Sequence, residues 1–256
     1  MELPGKDTVG LRAANPGAFT LSGTNTWVVG RDPAWVIDPG PALDQHLDAV
    51  SEEILARGGL GGIALTHDHA DHTEAVPRMR ERFPAARLGA SRGVVDERLA
   101  DGDRFGPLTA LATPGHAPDH LAYVADEVAF TGDAVLGEGS VFVYPDPGAL
   151  KDYLTGLERL RAHKLDFIAP GHGPPVTDPK TKLEQYISHR LDRERRLIAA
   201  LGDGLRSVDD LLERVWHDAP PQLRPAAAVT LAAHLDKLEE EGRLPEGVQR
   251  PTGWRD

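Results

Sequence analysis

Short apolar runs alternate with helical patterns through the first two thirds of the chain. Six β-rich runs end in Gly, Pro or Asp, over residues 24–30, 34–40, 61–67, 108–116, 121–133 and 165–173. Apolar residues at helical spacing lie between them, over residues 42–58, 73–83 and 147–163. Strands that alternate with helices predict an α/β fold, and tight turns between the early strands predict a partly antiparallel sheet. Two sheets packed face to face, with helices outside, would use all of these elements.

The pattern becomes wholly helical in the last third of the chain. Three helices are predicted there, over residues 180–201, 207–216 and 225–244. Ser207 with Asp210 is typical of a helix start, and Gly242 of a helix end. We therefore predict one domain over residues 1–180, followed over residues 181–256 by a linker helix and a small helical, winged-helix-like C-terminal domain.

The composition limits the classes of protein and of metal site. The 256 residues suffice for one sizeable core with a small appendage, and 40% hydrophobic with 27% charged residues is ordinary for a globular protein. Because the chain has no cysteine, it has no disulfides, and any metal must be held by nitrogen and oxygen ligands. No export signal and no apolar run approaching about 18 residues is visible. We expect a cytoplasmic protein with no membrane association.

Several predicted strands end in an acidic residue or a histidine beside glycine or proline. These residues are Asp38, His67, His116, Asp133 and His172. Side chains at strand ends and in the following loops converge on one rim of a sheet, where a rigid scaffold can position metal ligands. The recurrence favours a shared site over five independent polar turns.

The segment THDHADH holds the densest group of these side chains. His67 and His69 lie two positions apart and project from one face of an extended segment, so both can reach one ion. Asp71 and His72 follow, before a helix predicted to begin near Thr73, and can point to a second ion. A lone histidine is more often a surface or hydrogen-bonded core residue. The density here favours metal binding, with Zn²⁺ suited best and Fe or Mn as alternatives.

THDHADH, with WVIDPG before it and TPGH, FTGD and APGHG after it, resembles the ordered motif set of the metallo-β-lactamase superfamily. The resemblance implies a four-layer αββα sandwich with a dinuclear metal site at one edge. It implies two zinc ions per chain. The implied ligands are His67, His69 and His116 for one ion, Asp71, His72 and His172 for the other, and Asp133 bridging the two.

The resemblance also implies a hydrolase in which a metal-bridging hydroxide attacks an ester-type bond. Asp71 is then a candidate proton acceptor, and Asp38 is expected to orient a metal ligand unless it only caps a turn. His120 is a candidate substrate contact or proton donor, with an orienting or capping role as the alternative. Thr24 and Asn25 are candidate polar contacts near the site, although turn residues that satisfy backbone groups are favoured.

Longer segments narrow the resemblance. GTNTWVVG, TPGHAPDH, GDAVLGEGSVFVYPD and ISHRLDRERRLI, with the helical C-terminus, resemble the β-lactamase-like protein 2 group. That group includes an endoribonuclease specific for single-stranded RNA, and fungal relatives hydrolyse acyl-carrier thioesters. The resemblance therefore implies two substrate classes with different electrostatic needs.

Charge separates these substrate classes. The net charge is −12, and residues 1–189 hold 17 Lys and Arg against 27 Asp and Glu, while residues 190–256 hold 11 against 13. Because RNA affinity rests on phosphate contacts, this balance favours a small acyl thioester or ester, with endoribonuclease activity as the alternative. The most basic segment carries Arg190, Arg193, Arg195 and Arg196. They could face a cleft, but a solvated helix face paired with Asp192 and Glu194 is favoured.

Two hypotheses belong to other functional classes. In a DNA-binding winged-helix regulator, residues 226–241 would be the recognition helix, yet this segment carries four acidic residues against the single Lys237. Phosphates would repel it, so we expect no DNA binding and instead a packing, dimerisation or cleft-lining role that leaves a homodimer open. The second hypothesis is a non-catalytic metal-binding protein, which no missing ligand motivates.

Overall fold

The first of two β-sheets is formed by the N-terminal part of the chain. The structure is a computed structural model that describes residues 1–252. The strands of the first sheet are β1 (Thr8–Arg12), β2 (Asn25–Val29), β3 (Ala34–Ile37), β4 (Leu60–Ala64), β5 (Arg87–Ala90) and β6 (Glu97–Arg98), adjacent in that order. The β1, β2 and β3 strands pair antiparallel, whereas β3 to β6 pair in parallel. The predicted mixture of antiparallel and parallel pairing is confirmed.

The second sheet follows directly in the chain. Its strands are β7 (Arg104–Phe105), β8 (Leu108–Ala112), β9 (Leu121–Ala125), β10 (Val128–Gly132) and β11 (Phe167–Pro170), with β11 at the edge beside β10. The β7 to β10 strands form an antiparallel meander, and β11 joins β10 in parallel. This parallel pairing needs a long crossover, which a helix supplies.

Helices cover the outer faces of both sheets. They are α1 (Asp44–Ala56), α2 (Ala70–Thr73), α3 (Val76–Arg82), α4 (Ala149–Ala162), α5 (Pro179–Gly202), α6 (Val208–Val215) and α7 (Arg224–Glu240), with a 3-10 turn at Pro221–Leu223. One apolar cluster joins β2 to β5 with α1 and α3, and a second joins the two sheets. A third joins the second sheet with α4 and α5. The predicted four-layer αββα sandwich is confirmed.

The structure differs from the prediction at several element boundaries. Strands β1, β5, β6 and β7 were not predicted. β6 and β7 are only two residues long, and two residues are too few to show an alternating pattern. The helix expected to begin near Thr73 instead begins at Ala70, because the carbonyl of His69 accepts hydrogen bonds from the N–H groups of His72 and Thr73. Asp71 and His72 therefore project from a helical turn.

The C-terminal helices form a separate apolar cluster. As predicted, α6 begins after Ser207, whose Oγ accepts a hydrogen bond from the Asp210 N–H at 3.2 Å. The cluster is built from Leu197 on α5, Leu211 on α6, Leu231 on α7 and their neighbours. No strand follows β11 within the described residues, so the wing of a winged helix is absent from that part of the chain.

Helix α5 belongs to two apolar clusters. Leu183 and Tyr186 in its first half pack in the cluster of the second sheet and α4, whereas Leu197 and Leu201 pack with α6 and α7. A domain boundary at residue 180 stays a prediction. Over residues 1–252 no helix has the length and apolar character needed to cross a membrane.

Candidate metal centre

The predicted metal ligands meet at the edge where the two sheets come together. The ligands lie in loops after β4, β8, β10 and β11, or on α2. An isolated bridge pairs Thr24 with His172, and the Asn25 N–H donates to the Gly171 carbonyl at 2.7 Å. These contacts join the first sheet to the second at this edge, so loops that are distant in sequence surround one small volume.

Local hydrogen bonds hold the THDHADH segment in place. The hydroxyl of the buried Tyr123 donates to the Leu65 carbonyl at 2.7 Å, and the Leu121 N–H donates to the Thr66 carbonyl at 2.8 Å. These bonds connect the loop after β4 to β9 in the opposite sheet. His67 and His69 are thereby positioned by rigid strands rather than by the loop alone.

Two glycines are needed because the ligands approach the backbone closely. A Cβ added at Gly171 would lie 2.7 Å from both Asp133 Oδ1 and His72 Cε1. Gly132 has a φ of +44°, and a Cβ there would lie 2.5 Å from Thr66 Oγ1. A side chain at Gly171 would displace two predicted ligands, and one at Gly132 would displace Thr66, which donates to Asp38, so both glycines are part of how the site is built.

The first ligand group is His67, His69 and His116. Their ligand nitrogens lie within 4.8 Å of one another. His116 Nε2 lies 3.0 Å from His69 Nδ1, and His67 Nε2 is buried without a hydrogen-bond partner. A buried ring nitrogen with no partner costs free energy unless a ligand pairs with it. Three imidazoles that converge in this way fit one transition-metal ion.

The second ligand group is Asp71, His72 and His172. Asp71 Oδ2 lies 3.2 Å from His172 Nε2 and 3.4 Å from His72 Nε2. His72 Nε2 is fully buried and makes no hydrogen bond. Two imidazoles and a carboxylate on a second small volume fit a second ion.

Asp133 lies between the two groups. Its Oδ2 lies 3.5 Å from His116 Nε2, while its Oδ1 lies 3.3 Å from His172 Nε2 and 3.6 Å from His72 Nε2. Oδ1 is buried without a hydrogen-bond partner. One oxygen thus faces each group, which is the arrangement required of a bridging carboxylate.

Protonation differs between the two groups in the metal-free chain. Burial lowers the pKa of His67 well below its usual value and that of His116 to about 4, so both are neutral at pH 7. Burial also lowers the pKa of His172, but the carboxylates of Asp133 and Asp71, at 3.3 and 3.2 Å from its Nε2, outweigh it and raise the value to about 10. Burial raises the pKa of Asp71, yet the hydrogen bond with His172 brings it to about 2. The carboxylates of Asp71 and Asp133 therefore keep the His172 imidazole protonated at pH 7 in the metal-free chain.

Asp38 orients His72. Its Oδ2 accepts hydrogen bonds from His72 Nδ1–H at 2.8 Å and from the Thr66 hydroxyl at 2.7 Å, and its Oδ1 accepts the Thr66 N–H at 2.8 Å. With Nδ1 occupied, His72 presents Nε2 to the centre. Asp38 also adopts a positive φ of 50° after β3, so the geometry combines ligand orientation with a turn.

His120 is buried behind the ligands. Its ring stacks on that of His67 with 5.0 Å between centroids, and its Nε2 accepts the Asp133 N–H at 3.2 Å. Its Nδ1 is 2.8 Å from the Thr113 hydroxyl, and burial lowers its pKa to about 3. Both ring nitrogens are thus engaged with the protein. This geometry favours the alternative role of holding Asp133 over contact with substrate.

Thr24 and Asn25 have different roles: one contacts the site and the other satisfies backbone groups. The Thr24 hydroxyl donates to Asp71 Oδ2 at 3.0 Å, so Thr24 contacts a ligand directly. The Asn25 amide donates to the carbonyls of Pro170 and Gly173 at 3.0 and 2.9 Å. Asn25 therefore satisfies backbone groups beside β11, as favoured from the sequence.

A large cavity of about 740 Å³ opens onto the metal ligands, reaching His69, Asp71 and His116. Its wall is mostly apolar and includes Phe19, Leu136, Phe142, Tyr186, Trp216 and Leu223. A smaller cavity of about 340 Å³ also borders His69 and His116, and its wall includes Asp68, Arg92 and Asp146. We define these as the large cavity and the small cavity. Neither wall was predicted, because its residues come from distant segments with no shared motif.

Two family models match separate parts of the chain. The metallo-beta-lactamase superfamily model matches residues 92–172, which contain His116, Asp133 and His172. The beta-lactamase associated winged helix domain matches residues 207–254. The second match confirms the predicted winged-helix type of the C-terminal region.

Similarity to curated proteins extends over most of the chain. The chain is 31% identical to the beta-lactamase-like protein 2 homolog of Caenorhabditis elegans, over 89% of this chain and 82% of that protein. The chain belongs to the metallo-β-lactamase superfamily. It is a hydrolase of that superfamily, similar also to the atrochrysone carboxyl ACP thioesterase of Aspergillus chevalieri at 34% identity, over 84% of this chain and 75% of that protein.

Solved structures of the metallo-β-lactamase superfamily share the fold. A family protein from Thermus thermophilus superposes with a TM-score of 0.73 at 23% identity, covering 92% of this chain and 94% of that one. Another structure, in a di-iron-bound form, has a TM-score of 0.54 at 26% identity, covering 67% of this chain and 96% of that one. The superposition with the higher TM-score covers nearly the whole chain.

Proposed function

We propose that this hydrolase is a dinuclear zinc enzyme that cleaves a thioester or ester of an acyl compound. The observation that carries the proposal is the direct opening of the two ligand groups into the large, mostly apolar cavity. A reactive centre at the mouth of an apolar cavity can bind an acyl chain and hold its carbonyl beside the ligands.

The donor set supports two ions and favours zinc. Two neutral imidazoles that already present lone pairs, together with carboxylates and no thiolate, suit Zn²⁺ well. Iron is the alternative, supported by the similar structure in a di-iron-bound form. Asp133 would hold both ions, with three further ligands for each.

Residues of the chain would orient the substrate and shield its carbonyl from water. Two bound cations would supply a water-derived nucleophile at neutral pH and positive charge for the developing oxyanion. Asp71 Oδ2, held by the Thr24 hydroxyl, borders the large cavity and can accept a proton there. The apolar wall excludes bulk water from the carbonyl, which strengthens every charge interaction at the centre.

The acyl substrate class is supported by volume, lining and charge. A cavity of about 740 Å³ accommodates a drug-sized or fatty acyl group, and such sites bind mainly through apolar surface. The Aspergillus chevalieri relative is named as a thioesterase, which fits the same class. We propose a small molecule, or an acyl group presented by its carrier, as the substrate.

Single-stranded RNA is the second candidate, and one observation favours it. Phe19 is 55% exposed and meets Phe142 edge-on at 6.0 Å, close to His116, so a base could stack there. The small cavity opposes it, because Asp68 and Asp146 line that side of the ligands. Its one arginine, Arg92, is already paired with Asp68 at 3.0 Å. A strand crossing the centre would meet carboxylates where phosphates need cations.

A role of α7 in DNA binding has less support than a packing role. Eight of its residues are buried against neighbouring elements, and Lys237 is paired with Glu194 at 2.8 Å and Glu241 at 2.6 Å. The Thr230 hydroxyl accepts the Val143 N–H at 3.3 Å, which connects α7 to the loop bordering the large cavity. We propose that α7 lines and supports the substrate site.

The test is a hydrolysis panel of a thioester, an ester, a lactone and single-stranded RNA, with zinc-loaded protein and the His69→Ala variant as control. We expect turnover of the thioester or ester, lost in the variant. Because the chain has no cysteine, thiol release can be followed with a thiol reagent without background. RNA cleavage without acyl hydrolysis would replace the proposal. Full zinc occupancy without turnover of any substrate would favour a non-catalytic metal protein.

A further inference from the structure

Three arginines of the described chain are buried, and one lacks a counter-charge. Arg57 and Arg193 each form an ion pair, Arg193 with both carboxylate oxygens of Asp218 at 2.7 and 2.8 Å. Arg190 is 2% exposed, yet no carboxylate of residues 1–252 lies within ion-pair distance of it. Buried charges are ordinarily paired, because removing them from water is costly.

The contacts of Arg190 are all uncharged. Its Nη2 donates to the Ser140 hydroxyl at 2.9 Å and to the Val141 carbonyl. The Tyr153 ring lies 5.5 Å from its Cζ, which places the cation over the ring face. Its Nε is buried with no hydrogen-bond partner. The guanidinium is therefore fixed in direction but retains an unsatisfied donor and an uncompensated charge.

Arg190 lies in the wall of the large cavity, where Lys182 is a second cation that forms no ion pair with any described residue. Lys182 is eight positions earlier on α5, and within residues 1–252 its ammonium group donates to the Gly137 carbonyl alone, at 2.9 Å. Glu138 lines the same cavity, but within residues 1–252 it forms an ion pair with neither cation. Away from the candidate ligands, the lining carries Lys182, Arg190 and Arg193 against Glu138 and Asp218, a net of one positive charge in a chain whose net charge is −12.

The neighbouring histidines respond to this positive field. Burial, together with the charges of Arg190 and Arg193, lowers the pKa of His189 to about 4. Burial lowers the pKa of the fully buried His234 well below its usual value, again with Arg190 contributing. Both histidines are neutral at pH 7, so they neither add to nor neutralise the charge of Arg190.

We propose that Arg190 binds a carboxylate in the acyl part of the substrate, so that the enzyme prefers acyl groups with an acidic function remote from the scissile carbonyl. This inference rests on the proposed acyl hydrolase function. The guanidinium offers a rigid donor fork that suits a carboxylate, and the low-dielectric wall strengthens the interaction. Lys182, which is partly exposed, adds a second positive charge to the same wall.

The acyl side is assigned by the shape of the site. The large cavity extends from the ligands beneath the C-terminal helices, where Trp216 and Leu223 contribute to the wall. The small cavity shares His69 and His116 with the large one, and its lining includes the charged Asp68, Arg92 and Asp146. A substrate whose carbonyl lies at the ligands would place its bulkier acyl part in the large cavity and its leaving group towards the small one.

The experiment uses zinc-loaded full-length protein and matched N-acetylcysteamine thioesters. One series carries succinyl, glutaryl, adipoyl and suberoyl groups, and its control is the neutral acyl chain of equal length. A second arm places the carboxylate in the leaving group, as hexanoyl 3-mercaptopropionate. We expect the best dicarboxylate to exceed its neutral match in kcat/KM by about 10- to 100-fold, mostly through KM.

Variants then assign the preference. Arg190→Gln should reduce the ratio of acidic to neutral kcat/KM to near one, and Arg190→Lys should retain part of it. Arg195→Gln is the matched control, because Arg195 is 76% exposed on the same helix. Equal rates for acidic and neutral chains, a preference that survives Arg190→Gln, or a preference confined to the leaving-group arm would each overturn the proposal.

Two further outcomes concern the folding of the variant and the turnover of the substrates. If Arg190→Gln does not fold, retention of the preference in Arg190→Lys supports the proposal and its absence contradicts it. If no thioester is turned over, the proposed function fails by itself. Calorimetry with adipate and hexanoate then decides: tighter adipate binding that Arg190→Lys weakens supports an anion site, and equal affinities overturn it.

Discussion

The metal edge and the wall of the large cavity are assembled in different ways. At the metal edge, each ligand follows a strand or lies in one seven-residue segment, and strand pairing alone brings them together. The cavity wall instead draws on Phe19, on the loop after β10, on α5 and on the C-terminal helices. The first region is a product of sheet topology, and the second of how helices pack over it.

This difference explains why chemistry and specificity separate in the molecule. Moving the C-terminal helices would change the cavity that receives a substrate but would leave the strand ends in place. Conversely, ligand positions tolerate almost no change, since a Cβ at Gly171 would already contact Asp133 and His72. A rigid edge with a variable wall allows one reaction to serve many substrates.

The largest expected effect comes from His69→Ala at the metal edge. His69 Nδ1 faces His116 Nε2 at 3.0 Å, so its loss removes one of three first-group ligands. We expect loss of one metal equivalent and a fall in activity beyond about 10³-fold, because loss of a single charge-stabilising donor alone costs about 10²–10³. Metal analysis and kcat/KM measure this. Exposed His163→Ala is the control, and unchanged turnover in His69→Ala would refute the assignment.

The second largest effect concerns the stability of the C-terminal helices, which contribute to the wall of the large cavity. Leu231 is fully buried in the cluster of α5, α6 and α7. Leu231→Ala should lower the free energy of unfolding by about 2–5 kcal/mol through lost burial and the cavity left behind. Denaturant titration measures it, with the half-exposed Leu191→Ala as control. Metal content should be unchanged, and parallel loss of metal would mean that the two regions form one unit.

The sequence predicted the metal edge well for a physical reason. Strand ends carry short motifs, and the period of side chains along a strand decides which of them share a face. Strand ends placed Asp38 and Asp133 on one rim, whereas their positions beside His72 and His116 were implied by the family resemblance, and the structure has both contacts. The start of α2 was expected near Thr73 but lies at Ala70. Asp71 and His72 therefore lie on a helical turn, and no local sequence pattern specifies the hydrogen bonds of that turn.

The cavity wall could not be predicted because it depends on packing between distant elements. Arg190 and Arg193 were expected on a solvated helix face, but both are buried and line the large cavity. The same expectation is correct for Arg195 and Arg196, which pair with Asp192 at 3.1 and 2.6 Å. Helical periodicity indicates that Arg190 and Arg193 lie on a different face of α5 from Arg195 and Arg196. It does not indicate which of the two faces is covered by other helices.

A third prediction tests how the metal edge is supported from behind. In Asp38→Asn, an amide oxygen in the place of Oδ2 leaves the NH2 group facing the Thr66 N–H, and the flipped amide loses acceptance from both His72 Nδ1–H and the Thr66 hydroxyl. Loss of such a partner typically costs about 10–100-fold in metal affinity, so we expect about that weakening at the second ligand group. Competition with a chelator measures it, and Asp44→Asn, 80% exposed on α1, is the control. Equal affinities would mean that backbone packing alone orients His72.

A fourth prediction concerns pH and the metal-free protein. With its pKa raised to about 10, His172 is protonated at pH 7 and must lose that proton to bind a metal. Metal uptake should therefore release about one proton, and affinity should rise about tenfold per pH unit below pH 10. The raised pKa also stabilises the metal-free fold fully below about pH 6.5, and this stabilisation is lost as the pH approaches 10. Uptake in weak buffer with an indicator, showing no proton release, would contradict this.

The smallest effect is expected from Thr24→Val, where the metal edge meets the first sheet. Valine preserves the shape of this fully buried side chain but removes the hydroxyl that donates to Asp71 Oδ2 at 3.0 Å. One net hydrogen bond is worth about 0.5–1.5 kcal/mol, so kcat should fall by roughly 2- to 10-fold with metal content unchanged. Thr155→Val, whose hydroxyl bonds only within α4, should leave kcat as it is. A loss of metal in Thr24→Val would instead show that Thr24 supports metal binding by Asp71. Thr24 would then belong functionally to the metal edge and not only to its surroundings.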